Sequence, residues 1–437
     1  MNIPGKKVDL GVIGEDIFRL MKEMFPICRS ITGDGVRETL AILARHIPLA
    51  VHEVPTGTQV FDWVVPKEWN IRDAFIKNSQ GKRVVDFQKS NLHVLNYSIP
   101  VQATLPLDEL KGHLYTIPEH PDWIPYRTTY YQEKWGFCLS HKDFVKLTDS
   151  EYEVCIDSTL EDGHLTYGEL YLKGESEDEV LISTHVCHPS LCNDNLTGIA
   201  VSAMLAQKIM ETKTRYSFRF LFIPGTIGAI TWLALNEENT SRIKHGLVLA
   251  GLGDQGPITY KRSRTGDTEI DRAMIQVLKD SRDDHQILDF TPYGYDERQF
   301  CSPGFNLPVG RLSRSVYGEY PEYHTSADDM DFVTRSSLAD SFDKIMNLLS
   351  ILENNGQYLN LNPKCEPQLG KRGLYQNPGT NELALLWVLN LSDGHHSLLD
   401  ICALSGMDFT AVNAAKDTLF EHHLLAFTGN RQVDDRN

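Results

Sequence analysis

The sequence predicts an α/β protein. A mostly parallel sheet carries helices on both faces, with a β-rich inserted domain and a C-terminal winged-helix domain. Three features point to this. Residues 152–360 alternate strand-like apolar runs with helix-like segments, the signature of a mostly parallel sheet covered on both sides. Residues 51–149 instead hold short alternating runs broken by Gly, Pro and Asn. Residues 365–437 hold three helix-like segments with a short turn between the last two.

The elements follow in chain order. In residues 11–48, Ile13, Ile17, Leu20, Met21 and Met24 recur at a spacing of about 3.6, the period of a helix. After the turn ITGDG (31–35), Val36, Leu40, Leu43 and Ile47 repeat it. The runs VHEV (51–54), QVFDWVV (59–65), HVLNYSI (93–99) and WGFCLS (135–140) read as strands of the insertion. EVLISTH (179–185), SFRFLFIPG (217–225) and KHGLVLAGLGD (244–254) read as core strands, and 198–210 and 268–280 as helices. Residues 361–374, with Pro363, Pro367, Gly370 and Gly373, read as a linker. A chain of 437 residues exceeds one ordinary core. Residues 1–50 with 150–360 are therefore expected to form the α/β domain, 51–149 the inserted domain and 365–437 the winged helix.

Composition narrows the function. Apolar residues make up 41% and charged residues 23%, which is normal for a soluble globular chain. The net charge of −17 disfavours phosphate backbones and anionic membranes. Residues 365–437 contain nine acidic and five basic residues, a net of −4, so the winged helix is expected to serve packing or protein contact rather than DNA. Lys6 and Lys7 are followed by Asp9, Glu15 and Asp16 rather than an apolar stretch, which is no secretion signal. No apolar run reaches the roughly 18 residues that read as a membrane span. Eight cysteines without a framework spacing complete the expectation of a cytoplasmic protein with reduced thiols.

Candidate chemistry lies in three segments. STHVCHPSLCNDNLTG (183–198) follows a strand and gathers His185, Cys187, His188, Cys192 and Asp194 just before a helix. Imidazole and carboxylate are the usual ligands of zinc. A His or Asp in such a loop also serves as a helix cap. Cys187, His188 and Cys192 offer a structural zinc site as a further option. YPEYHTSADDM (320–330) supplies His324, and YDERQFCSPGFNLPVG (295–310) supplies Asp296 and Glu297. Each of these is equally a solvated surface group in the absence of the others.

Taken in order, the segments resemble the co-catalytic zinc aminopeptidase and glutaminyl-cyclase superfamily, whose fold is that of the zinc exopeptidases. The matching elements are His185 or His188, then Asp194-Asn195-Leu196-Thr197-Gly198, then Asp296 and Phe300 with 304–308, then Tyr323-His324-Thr325 with Asp328. A group of bacterial aminopeptidase-like proteins with a CHPSLxNDNLSG-type loop, a β-rich insertion and a winged helix is similar over nearly the whole chain. That likeness favours His188 over His185. It implies a zinc centre in which Asp194 takes the place of the bridging carboxylate, His188 binds a first ion and His324 a second, with Asp254 in the place of the first ion's Asp. It also implies hydrolysis of a small peptide or amide-containing substrate, and homo-oligomerisation is an option.

The sequence departs from the superfamily where an acidic pair follows the FRFLFIPG strand. Here the residues are Gly225-Thr226, which cannot accept a proton near neutral pH; the Asp two residues after the first His is also missing, its place taken by Cys187 if His185 is that His. One ion rather than two is therefore expected. Either another carboxylate, Glu297, acts as the base, or the protein is a binding module on a peptidase scaffold.

Overall fold

The computed structural model describes residues 9–375 and 381–429. Helix α1 (Leu10–Met24) begins where the Asp9 carboxylate accepts the N–H groups of Gly11 and Val12, and it buries the apolar stripe from Ile13 to Met24. Helix α2 (Asp34–Leu43) buries Val36, Leu40 and Leu43. The chain then runs through β1 (Ala50–Pro55), β2 (Glu68–Lys77), β3 (Arg83–Asp86), β4 (Val101–Pro106) and β5 (Glu151–Glu161). Next come β6 (His164–Leu172), β7 (Glu179–His185), α3 (Thr197–Met210), β8 (Ser217–Ile223), α4 (Ile227–Leu235), β9 (Ile243–Leu249) and β10 (Ile258–Lys261). Helix α5 (Glu269–Ser281) precedes β11 (His285–Leu288), β12 (Val309–Ser313) and α6 (Arg335–Asn354). The chain ends in β13 (Gln357–Asn360), α7 (Glu382–Leu391), β14 (Asp393–Ser397), α8 (Leu398–Ser405), α9 (Phe409–Glu421) and β15 (Leu425–Gly429).

The main sheet has eight strands in the order β1-β6-β8-β7-β9-β12-β10-β11. Its four central strands, β8, β7, β9 and β12, are parallel. Antiparallel strands flank them: β1 and β6 on one side, β10 on the other. The parallel strands sit where both faces are covered, which is why β7 is buried at every position. Leu181, Leu221, Ile223 and Val309 pack with Ile230 and Trp232 of α4, while α1 packs along α3.

The insertion is a four-stranded antiparallel sheet in the order β3-β2-β5-β4. Its edges fall differently from expectation. Strand β1, from the segment read as insertion, pairs with β6 in the main sheet, and β5 pairs with β2 and β4. HVLNYSI forms no strand: its backbone makes isolated bridges, Val94 with Phe137 and Asn96 with Thr128, and the Ser98 N–H turns back onto the Leu95 carbonyl.

Two compact units emerge from the packing. One holds the described residues of Lys6–Gly266 with Gln286–Asp343, and the other holds Asp267–His285 with the described residues from Lys344 onward. Helix α5 thus packs with the C-terminal domain, where Arg272 meets Asp400 at 2.5 Å and the Phe409 N–H reaches Asp280 at 2.9 Å. The C-terminal strands form a three-stranded sheet in the order β14-β13-β15, with α7, α8 and α9 completing a winged helix. Among the described residues, no helix is long and apolar enough to cross a membrane.

One ion-pair network ties the insertion to the core. Arg37 of α2 donates to Glu53 of β1 at 2.6 Å and, through two nitrogens at 2.7 Å each, to Glu68 of β2. The Arg37 hydrogen bonds hold the Glu68 carboxyl down at about 2 against the effect of its partial burial. A carboxyl whose folded pKa is depressed adds stability above its unfolded pKa of about 4.3, and that stability is lost as pH falls towards the folded value. Acidification from about pH 5 to about pH 2 is therefore expected to lower the melting temperature of the wild type more steeply than that of Glu68→Gln. Parallel pH–melting curves for the two proteins would show Glu68 uninvolved.

Candidate metal centre

Strand β7 delivers His185, 3% exposed, at the carboxyl rim of the sheet beside Ile223 of β8. Ligands of α/β proteins bind beyond such strand ends, and this is where the following loop turns back. Residues 186–196 cross the rim and bring His188 and Asp194 against His185. Asp328 pins this loop: its two carboxylate oxygens accept the N–H groups of Asn193 at 2.6 Å and Asp194 at 3.0 Å. Asn195 locks the other side, donating to Thr184 Oγ1 at 2.8 Å and accepting the N–H groups of Gly198 and Gly251. Gly198 is required here, since a Cβ would lie 2.5 Å from Asn195 Oδ1 and 2.6 Å from the Leu249 carbonyl oxygen.

Asp194 is fully buried, and three imidazoles face its carboxylate. Oδ1 lies 2.9 Å from His185 Nε2; Oδ2 lies 2.9 Å from His324 Nε2 and 3.3 Å from His188 Nδ1. Nitrogen and oxygen atoms of His185, His188 and Asp194 lie within 4.8 Å of one another. Burial alone would raise the Asp194 pKa, but His188 and His185 hold it well below the usual carboxylate range. Burial depresses the pKa values of His185 and His324, against the pull of Asp194. The pKa of His188 is raised, the attraction of Asp194 outweighing burial. Two of the three imidazoles are thereby biased to the neutral form that can lend a lone pair to a cation.

Aromatic rings fix the imidazoles. Tyr295 stacks on His185 at 5.0 Å and Tyr323 on His324 at 3.9 Å. Tyr126, from the insertion, sets its edge against both His188 and His324. Its N–H also bonds the His324 carbonyl at 2.7 Å, and Ile124 exchanges two bonds with Ser326. These bonds clamp the loop that holds His324 in the left-handed region, at φ 56°. Nothing in the sequence marks Tyr126, because it lies far upstream in a stretch without a motif. The buried Arg29, whose Nε donates to the His188 carbonyl at 2.7 Å, is equally silent.

An open cleft of about 300 Å³ lies over the three imidazoles. Gly225, Thr226, Asp296, Arg298 and Tyr317 line it. Two candidates from the sequence lie elsewhere. Asp254 accepts from Asn193 Nδ2 at 2.9 Å and from Ser315 Oγ at 2.6 Å, so its oxygens serve the loop's backing rather than the imidazoles. Gly251, at φ 64°, turns the chain after β9 and carries Asp254 past the rim. Glu297 is fully buried against Lys261 at 2.9 Å and does not line the cleft. Successive residues at a helix start diverge by about 100°, so Asp296 takes the cleft and Glu297 the interior. The three groups of the thiol-rich option also diverge: Cys192 Sγ lies against Met330 and Cys187 Sγ against the Gly225 carbonyl, while His188 turns to Asp194.

Comparison with known proteins agrees with this architecture. Residues 18–355 match the family described as a domain of unknown function, DUF4910, and residues 356–427 match a winged helix-turn-helix family. A Clostridium acetobutylicum protein provisionally described as a polysaccharide biosynthesis protein with an aminopeptidase-like domain is 54% identical over 418 residues, 94% of this chain and 96% of its own. A crystal structure from the same organism, provisionally described as a peptidase, superposes with a TM-score of 0.94 at 53% identity, covering 96% of this chain and 98% of the other. A zinc aminopeptidase from Bacillus subtilis shares the fold, with a TM-score of 0.56 at 12% identity over 77% of this chain and 94% of its own. The chain therefore belongs to the DUF4910 family, as an aminopeptidase-like protein with a β-rich insertion and a C-terminal winged helix.

Proposed function

We propose that the centre holds one zinc ion through Asp194, His185, His188 and His324, and that the protein is a metal-dependent hydrolase of peptide or amide-like bonds. The observation that carries this is the facing of three imidazole nitrogens on one buried carboxylate. Three nitrogens and an oxygen are a donor set that zinc accepts. Carboxylates for a second ion are missing at Gly225-Thr226 and Cys187, and Asp254 is turned to Asn193 and Ser315, which favours a single ion. Zinc in such a set polarises a carbonyl and eases the ionisation of water.

The protein's own groups supply the rest. Tyr295, Tyr317 and Tyr323 line the cleft and give it aromatic walls against which a substrate side chain can pack. Arg298 lines the same cleft, and its buried Nε has no partner among the described residues, so it is available to orient a substrate oxygen. Because the Clostridium relative is described as a polysaccharide biosynthesis protein, amide-bearing sugars belong in the assay panel beside aminoacyl anilides. A second reading, a ligand-binding protein without turnover, draws support from Gly225-Thr226, where the strand end offers no carboxylate. Ligand-induced thermal stabilisation without product would favour it.

Two outcomes test the proposal. His188→Ala and Asp194→Asn are each expected to abolish zinc retention and hydrolysis together, checked by elemental analysis and a broad amide panel. Retention of a full zinc equivalent in both variants would refute the site. Asp328→Ala, which removes only the acceptor of two loop N–H groups, is expected to weaken zinc affinity by about 10–100-fold, as loss of an orienting partner does. Competition with a chromogenic chelator measures it.

A further inference from the structure

We propose that Asp296 is the proton-carrying group of this centre, standing beside the end of β8 in place of the carboxylate that this strand end lacks. This inference rests on the reading of the centre as hydrolytic. Four observations converge on it. Asp296 lines the same cleft as His185, His188 and His324. It is only 1% exposed, yet its Oδ1 has no hydrogen-bond partner among the described residues, a costly arrangement for a carboxyl group without a task. A side chain grown from Gly225 would start 3.6 Å from both oxygens of Asp296 and 3.2 Å from the Cβ of His185. The carboxyl group at 296 thus fills the space into which a residue at 225 would reach. Finally, neighbouring Glu297 is occupied by Lys261, which leaves Asp296 as the acid that faces the cleft.

The surroundings suit the role. Burial pushes the Asp296 carboxyl up to about 7, with Glu297 raising it further and Arg298 and His188 drawing it down. A base with a pKa near the working pH is the most effective. In the step, water loses a proton to Asp296 Oδ1 as its oxygen bonds to the amide carbon. Asp296 then returns that proton to the amide nitrogen as the C–N bond breaks. The products are an acid and an amine, and the carboxylate is regenerated.

The test uses the full chain, wild type and Asp296→Asn, with zinc measured in both. Zinc content is expected to be unchanged in the variant, because Asp296 is a proton carrier and no ligand. On whichever anilide or amide the wild type hydrolyses, kcat is expected to fall by about 10²–10⁴-fold with KM nearly unchanged. The limb of the pH profile near 7 is expected to vanish, and Asp296→Glu to recover part of kcat. A readout without turnover is the proton count when L-leucine hydroxamate binds, taken by calorimetry in two buffers above pH 7. The wild type is expected to keep the hydroxamate proton on Asp296, and the Asn variant to release about one proton to buffer. Loss of zinc in Asp296→Asn, a change confined to KM, or equal proton release by both proteins would overturn the inference while leaving the metal centre standing. A wild type that holds no zinc would instead remove the reading of the centre itself.

Discussion

A carboxylate sealed from water needs a positive or hydrogen-bonding partner for each oxygen, or it must give up its charge. Asp194 meets that demand with three imidazoles drawn from two distant segments, residues 185–188 and residue 324. The local fold serves this arrangement. Asp328 and Asn195 fix the loop that carries Asp194, Gly198 lets the loop pass beneath Leu249, and three tyrosines hold the rings in place. Disturbing any of these changes the distances around one buried charge.

The topology explains why such distant segments meet. Strands β7, β9 and β12 run parallel side by side, so the segments that follow β7 and β12, which carry His188 and His324, rise at the same rim. The insertion contributes more than bulk. Its Tyr126 touches two of the imidazoles and its backbone anchors the His324 loop, so the β-rich segment is part of the architecture of the centre. Arg37 then couples the insertion to α2 and β1.

Much of this could be read from the sequence, for definable reasons. Periodicity revealed α1, α3 and the buried strand β7, because their burial is one-sided or complete. The order of short motifs around residues 185–198 and 323–328 pointed to one rim, because each motif closes on a strand end or a turn. Other features leave no such trace. The direction of Asp296 against Glu297 depends on a single helix-start rotation. The fate of Asp254 depends on the backbone turn at Gly251. The placement of β1 in the main sheet and β5 in the insertion depends on pairing partners that alternation cannot specify, and α5 packs with the C-terminal domain although its sequence neighbours β10 and β11 lie in the main sheet.

The central claim is that nitrogen and oxygen donors around Asp194, and no sulfur, bind the metal. Zinc-edge X-ray absorption of the purified protein tests it most directly. The account predicts a first shell of nitrogen and oxygen at about 2.0–2.1 Å, with the outer-shell scattering of coordinated imidazole. A sulfur shell at about 2.3 Å, as Cys187 or Cys192 would give, would contradict it.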